Sequence, residues 1–251
     1  MTSIGVVGRG RLGAAIELAL RRAGCDVVLV AGREVDPTIT HRLGLILLAV
    51  PDTAIAPVAK RLATNDSCVV AHCSGSLGMD VLTPHRRVAG LHPVVSVPDR
   101  LIGADRLAGA WFAIAGDPLI SEVVVALGGR SFTIDDAHRS GYHAAAVVAS
   151  NHLVALLGQV QRLAGAAGAP MEAFWPLIEG SVVNAELLGP VHALTGPVAR
   201  GDWDTLRRHL DSIDQSERAA YLALAAEAAK LVDARLPVDL NSPEVVWRGS
   251  T

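Results

Sequence analysis

Three stretches carry the side chains best suited to proton transfer, and a fourth carries a cation suited to an anionic ligand. "AHCSGSLG" places His72, Ser74 and Ser76 in a glycine-containing turn, and "GLHPVVSV" sets His92 ahead of a proline. "YHAAAVVASNHLVAL" contains His143, Ser150 and Asn151, and "LTGPVARGDWDTLRRHL" puts Arg200 in a Gly/Pro loop. An imidazole near its unperturbed pKa can give or take a proton at neutral pH. His143, Val147 and Asn151 recur every four residues, which places them on one helix face. Burying a histidine and an amide on an apolar helix is costly unless they meet a ligand or each other. That pattern marks His143 and Asn151 as a candidate ligand-facing pair, beside the plainer reading of satisfied core residues. Ser74 and the Gly75 N–H suit a substrate carboxylate. His92 is a substrate-side candidate or a structural one, and His72 reads more simply as a side chain that fixes its turn. Arg200 suits an anionic substrate, including one reached across a dimer interface, or else a surface ion pair. Asp202 is read as the N-cap of the helix that follows. A serine or cysteine hydrolase is disfavoured because no G-x-S-x-G elbow is present.

The elements that must hold these groups alternate along residues 3–134. Short β-rich apolar runs, placed at 3–7, 26–31, 45–50, 67–72, 88–92, 111–115 and 130–134, are separated by helical patterns at 11–23, 53–63, 79–83 and 119–128. This predicts a doubly wound, mostly parallel Rossmann-type α/β sheet, whose strand C-termini line a ligand crevice. Beyond Tyr142 the β pattern stops, and Ala/Leu-rich helices are expected at 142–166, 170–179, 181–188, 202–211 and 214–233. The expected division is a dinucleotide-binding domain at 1–139 and an all-α domain at 140–251, with residues 236–251 as a surface tail.

Gly8, Gly10 and Gly13 form G-x-G-x-x-G between the first strand and the first helix. There the first glycine makes the turn, the second lets backbone approach a pyrophosphate, and the third lets helix and strand pack closely. With Arg9, Arg11 and Leu12 between them, these residues are assigned to cofactor binding, together with Val50 and Pro51 at the end of the third strand. Arg33 stands about twenty residues past the fingerprint, where an acid would bind a free ribose 2′-OH; a guanidinium there suits a 2′-phosphate and favours NADP. Glu34, next to it, suits NAD if the strand ends one residue later.

The chain has 251 residues, 51% of them apolar and 19% charged, with a net charge of -3. So little charge points to a surface partly covered by a second subunit, hence a homodimer acting on a small-molecule substrate. No basic run marks a nucleic-acid or anionic-membrane partner. Cys25, Cys68 and Cys73 lack any C-x-x-C spacing, so neither a zinc site nor a disulfide framework is indicated. Their reduced state and the lack of a leader-like N-terminus point to the cytoplasm. The most membrane-like stretch, 144–163, is interrupted by polar residues and is read as a buried helix.

The motifs "GRGRLG", "LAVPD", "HCSGSLG", "GLHPVVSV", "YHAAAVVASN" and "LTGPVARGDWDTLRRHL" resemble proteins that join a Rossmann-like domain to a domain of unknown function called DUF2520, over nearly the whole chain. That architecture is similar to the 6-phosphogluconate dehydrogenase-like group, which includes β-hydroxyacid dehydrogenases, ketopantoate reductases and pyrroline-5-carboxylate reductases. The resemblance implies an NADP-dependent oxidoreductase acting on a small keto acid or imine, with a helical dimerising domain; the alternative is a non-catalytic NADP-binding sensor. One departure stands out. β-Hydroxyacid dehydrogenases carry a catalytic lysine four residues before the helical asparagine, and here that position is Val147; the resemblance then implies His143, one turn earlier on the same face, as the general acid, with Asn151 orienting a substrate oxygen.

Overall fold

The structure is a computed structural model that describes residues 3–240; of the expected tail, residues 241–251 lie outside that range. The chain divides into two compact units between His152 and Leu153, and the helix beginning at Arg139 lies in the first of them.

The first unit is a seven-stranded sheet in the order β2-β1-β3-β4-β5-β6-β7. Its strands are β1 (Ile4–Val7), β2 (Val27–Val30), β3 (Leu45–Leu48), β4 (Val69–His72), β5 (Val88–Pro93), β6 (Trp111–Gly116) and β7 (Arg130–Thr133). Every pairing is parallel except β5 with β6. The crossovers are α1 (Arg11–Arg22), α2 (Asp52–Arg61), α3 (Arg100–Leu107) and α4 (Ile120–Ala126), with 79–83 forming a 3-10 turn, Met79–Leu82. Because successive strand residues face opposite sides, the sheet has two cores. One face packs Val6, Leu47, Ala71, Leu91 and Phe112 with Ile16, Leu20 and Leu107. The other packs Val7, Ile46, Leu48 and Val70 with Ile55 and Val58.

Helix α3 is an element the sequence reading lacks. Its signal is Asp99, whose carboxylate accepts the N–H groups of Leu101 and Ile102 at 2.8 and 2.9 Å, an N-cap ahead of an apolar pair. Gly103 then lets α3 lie close on α1, since a Cβ there would stand 2.8 Å from Ala15 Cβ.

The first unit ends in α5 (Arg139–Val147) and a π-turn, Val148–His152. The second comprises α6 (Leu153–Ala166), α7 (Trp175–Leu188), α8 (Pro190–Ala193), α9 (Trp203–Ser212) and α10 (Gln215–Leu231). One helix and a preceding 3-10 turn, Met171–Phe174, therefore replace the pair expected at 170–179 and 181–188. Ser181 does not break it, because its hydroxyl bonds back to the Leu177 carbonyl at 2.8 Å. Leu206, Leu210, Leu222 and Ala225 form this unit's small core. The Asp202 carboxylate accepts the Thr205 N–H at 3.1 Å, the capping role expected of it. Among the described residues one helical run, Asp136–Ala166, is long and apolar enough to cross a membrane, and very little of it is buried within the chain. The expectation of a helix buried by its own chain is thus not met, because α6 turns much of its apolar surface outward.

Candidate functional site

The fingerprint lies at the point where the sheet reverses order, β1 between β2 and β3, the usual ligand crevice of such sheets. Gly8 has φ +127°, and a Cβ on it would stand 2.3 Å from the Ala49 carbonyl oxygen; one on Gly13 would stand 1.9 Å from the Gly8 carbonyl. Gly10 faces open space. It begins α1 with no side-chain cap and no acid in the first turn, so the helix presents bare N–H groups and an unopposed positive dipole end. Arg33 is exposed just past β2, and neighbouring Glu34 lies 4.0 Å from Arg9. Arg11 is exposed at the start of α1, Val50 packs beside Gly32, and Pro51 precedes α2.

A cleft of about 260 Å³ is lined by Leu12 of the fingerprint, Asp52, Cys73, Ser74, Gly75, His92, Val95, Val97 and His143. Gly75 admits the two histidines: a Cβ there would stand 2.7 Å from His143 Cδ2 and 2.9 Å from His92 Nε2. The imidazole rings of His92 and His143 are 6.0 Å apart, nearly perpendicular. His92 Nδ1 is hydrogen-bonded to the Tyr142 hydroxyl at 2.6 Å. Burial, with the charges of His143 and Arg139 added, pushes His92 down to about 4, so its imidazole is neutral at physiological pH. Burial raises Tyr142 above the usual phenol range.

Ser74 is engaged within the chain. Its hydroxyl donates to Asp52 Oδ2 at 2.8 Å and accepts the N–H groups of Ser76 and Leu77, each at 3.2 Å. Ser76 donates to the same carboxylate oxygen at 3.0 Å. The expected carboxylate-binding hydroxyl is thus spent on orienting Asp52, and Gly75 is left facing the cleft. His72 is fully buried, and its Nε2 donates to the Gly78 carbonyl at 3.2 Å; it fixes the turn, the simpler of its two readings. Burial raises the Cys73 thiol to about 12 and Cys68 to about 11, which makes both poor nucleophiles.

Asn151 sits exposed in the π-turn, where its Oδ1 accepts the Ser150 hydroxyl at 2.9 Å, and it is not among the residues lining the cleft. The four-residue spacing assumed one unbroken α-helix from His143, and the π-turn interrupts it. Arg200 is exposed in the second unit, ahead of Gly201 in the left-handed conformation (φ +66°).

Three site residues are absent from the sequence reading. Tyr142 is masked by its neighbour His143, although "YH" offered two polar groups on one turn. Asp52 follows the strand-ending proline directly, a crevice position. Arg139 is three and four residues before that pair, but nothing in the sequence marks it as buried.

The chain matches DUF2520 over residues 112–228 and a Rossmann-like domain over residues 33–96. No curated protein matches the sequence. Among solved structures, protein TM1727 from Thermotoga maritima is 25% identical, with 97% of this chain and 98% of that one covered and a TM-score of 0.69. A Bacteroides fragilis protein provisionally named an NADP oxidoreductase is 20% identical, with 91% and 98% covered and a TM-score of 0.77. A reductive aminase from Aspergillus terreus, solved with an NADPH-type cofactor, cyclohexanone and allyl amine, is 14% identical, with 98% and 90% covered and a TM-score of 0.60. These likenesses extend over both units and bear on the fold. The chain is a member of the family that couples a Rossmann-like domain to a DUF2520 domain.

Proposed function

We propose that the chain is an NADP-dependent reductase that adds hydrogen across the C=O or C=N bond of a small keto acid or imine. One observation carries the reading: Leu12 of the glycine fingerprint and His143 of α5 line the same cleft, so dinucleotide-binding backbone and proton-handling side chains meet in one place. The oxidoreductase named from Bacteroides fragilis and the aminase from Aspergillus terreus share this fold, which supports the same reading.

Gly8, Gly10 and Gly13 would hold the pyrophosphate of the cofactor at the N-terminus of α1, and Arg33 would pair with its 2′-phosphate. NADPH supplies a hydride when bound. The chain supplies the matching proton, with His143 as donor at the substrate oxygen or nitrogen. Tyr142 and His92 form the neutral hydrogen-bonded pair beside it. Gly75 and His92 receive the substrate, while Ser74 and Ser76 hold the Asp52 carboxylate in place. A second copy of the chain covers the apolar surfaces of α6 and α7, where Val154, Leu177, Val182 and Leu187 are exposed, and places Arg200 at the subunit interface.

Titration of NADPH and NADH by quenching of protein fluorescence tests the cofactor. NADPH is expected to bind more tightly, and Arg33→Asp to abolish the difference; equal affinities in the parent chain overturn the NADP assignment. Silence with NADPH bound, across a panel of keto acids and imines, replaces the reductase with a cofactor sensor.

A further inference from the structure

Arg139 is the most expensive residue in the first unit. Its side chain is 1% exposed, and its ion-pair partner Asp136 is 49% exposed. Nε donates to Asp136 Oδ1 at 2.8 Å, yet Nη1 and Nη2 have no hydrogen-bond partner among the described residues. A buried guanidinium with two unmet nitrogens weakens a fold unless its charge serves something else.

We propose that Arg139 is a positioning residue whose fixed charge holds His72 and His92 as neutral imidazoles beneath the cleft. Its placement is set by two periodicities. Arg139, Tyr142 and His143 stand at i, i+3 and i+4, one face of α5. His72 and Gly90 are register partners on β4 and β5, and His92, two residues on, shares Gly90's side of the sheet. Gly90 makes the space: a Cβ there would stand 2.7 Å from Arg139 Nη2. Asp136 completes the strap by accepting the Met79 N–H at 2.9 Å, which ties the start of α5 to the end of the His72 turn.

The groups acting on His92 are Arg139 and His143 of α5, His72 of β4 and Asp52 of α2; its hydroxyl partner Tyr142 is also on α5. Of the charged groups only Asp52 favours an imidazolium on His92; burial opposes it most, then His143 and Arg139. On His72 burial opposes protonation most and Arg139 next, while the Gly78 carbonyl, Asp52 and Asp136 favour it. Arginine suits the task because it stays charged when buried, whereas a lysine there would shed its proton. The consequence is that His92 and Tyr142 share one hydrogen bond between two uncharged groups at the edge of the cleft. The catalytic meaning of this rests on the reductase reading; the protonation states themselves do not.

The test is imidazole titration by NMR on the full chain without cofactor. Arg139→Gln is expected to raise the His92 midpoint from about 4 by roughly one unit or more, and to raise that of His72. Asp136→Asn, which removes the counter-charge, is expected to lower the His72 midpoint. A merely structural arginine would leave both midpoints in place when its charge is removed, and the Asp136 variant reports only the direct effect of that carboxylate on His72. A folded Arg139→Gln chain with unchanged midpoints overturns the proposal. If melting shows that variant unfolded, Arg139→Lys, which fills the same space but sheds its charge when buried, decides in its place, and unchanged midpoints overturn the proposal. Loss of NADPH binding in the parent chain would sink the reductase reading and leave these titrations standing.

Discussion

Two histidine–tyrosine pairs in this molecule are built almost alike. His92 and Tyr142 are joined at 2.6 Å, their rings 5.5 Å apart at 85°; His209 and Tyr221 are joined at 2.6 Å, their rings 5.9 Å apart at 87°. The first sits at the edge of a cleft, with Gly75, His143, Asp52 and a buried arginine around it. The second bridges α9 and α10 over the apolar cluster of Leu206, Leu210 and Leu222. The same donor and acceptor geometry therefore serves in one place as a candidate proton path and in the other as a clasp between helices. What separates them is the surroundings: open volume, a glycine that yields room, and fixed charge.

Removing a cleft histidine against the clasp histidine gives the largest effect. His143→Ala should cut the single-turnover rate with NADPH at least about a hundredfold, the usual scale of general acid catalysis, with cofactor affinity nearly unchanged. His209→Ala should leave that rate alone and lower Tm. Equal kinetic losses from the two would erase the distinction. The next effect is in acid stability. His92 titrates near 4 in the folded chain against an ordinary 6.5, so between those values the unfolded chain binds more protons and stability rises with pH. Stability should thus fall as pH drops from about 6.5 toward 4, and His92→Gln should flatten that limb in chemical denaturation. A limb of undiminished slope in the variant would assign it to other groups. The smallest effect is Tyr221→Phe, which removes one clasp bond and should cost about 1 kcal/mol, read as a small drop in Tm with turnover unchanged.

Much of the fold was legible because its strands are buried on both faces. "LILL" and "VVAH" are continuous apolar runs bounded by Gly, Pro, Ser or Asp, and such runs read as interior parallel strands. The reversal of β6 was not legible, since strand direction leaves no mark on the strand's own residues. The site was legible where a backbone demand selects glycine, at Gly8, Gly13 and Gly75, and where a histidine ends a strand, at His92. The place of Asn151 away from the cleft was not legible, because a π-turn changes the face a residue occupies without any Gly or Pro to announce it. Nor was that of Arg139, because burial of a charge depends on what lies across the sheet, in this case the missing side chain of Gly90.

The depth of the cysteines has a use in chemical labelling. Cys68 belongs to one core layer of the sheet and Cys73 to the other, and both thiols are buried with their pKa values pushed up to about 11 and about 12. The thiolate is the nucleophile that displaces halide from a haloacetamide, so at neutral pH each sulfur becomes reactive only when its layer opens to water. The two modification rates, separated by peptide mapping, would act as independent clocks for local opening on the two sides of one sheet. The Cys73 clock runs at the wall of the cleft itself, so a ligand that seats there would slow it while leaving the Cys68 clock as an internal reference.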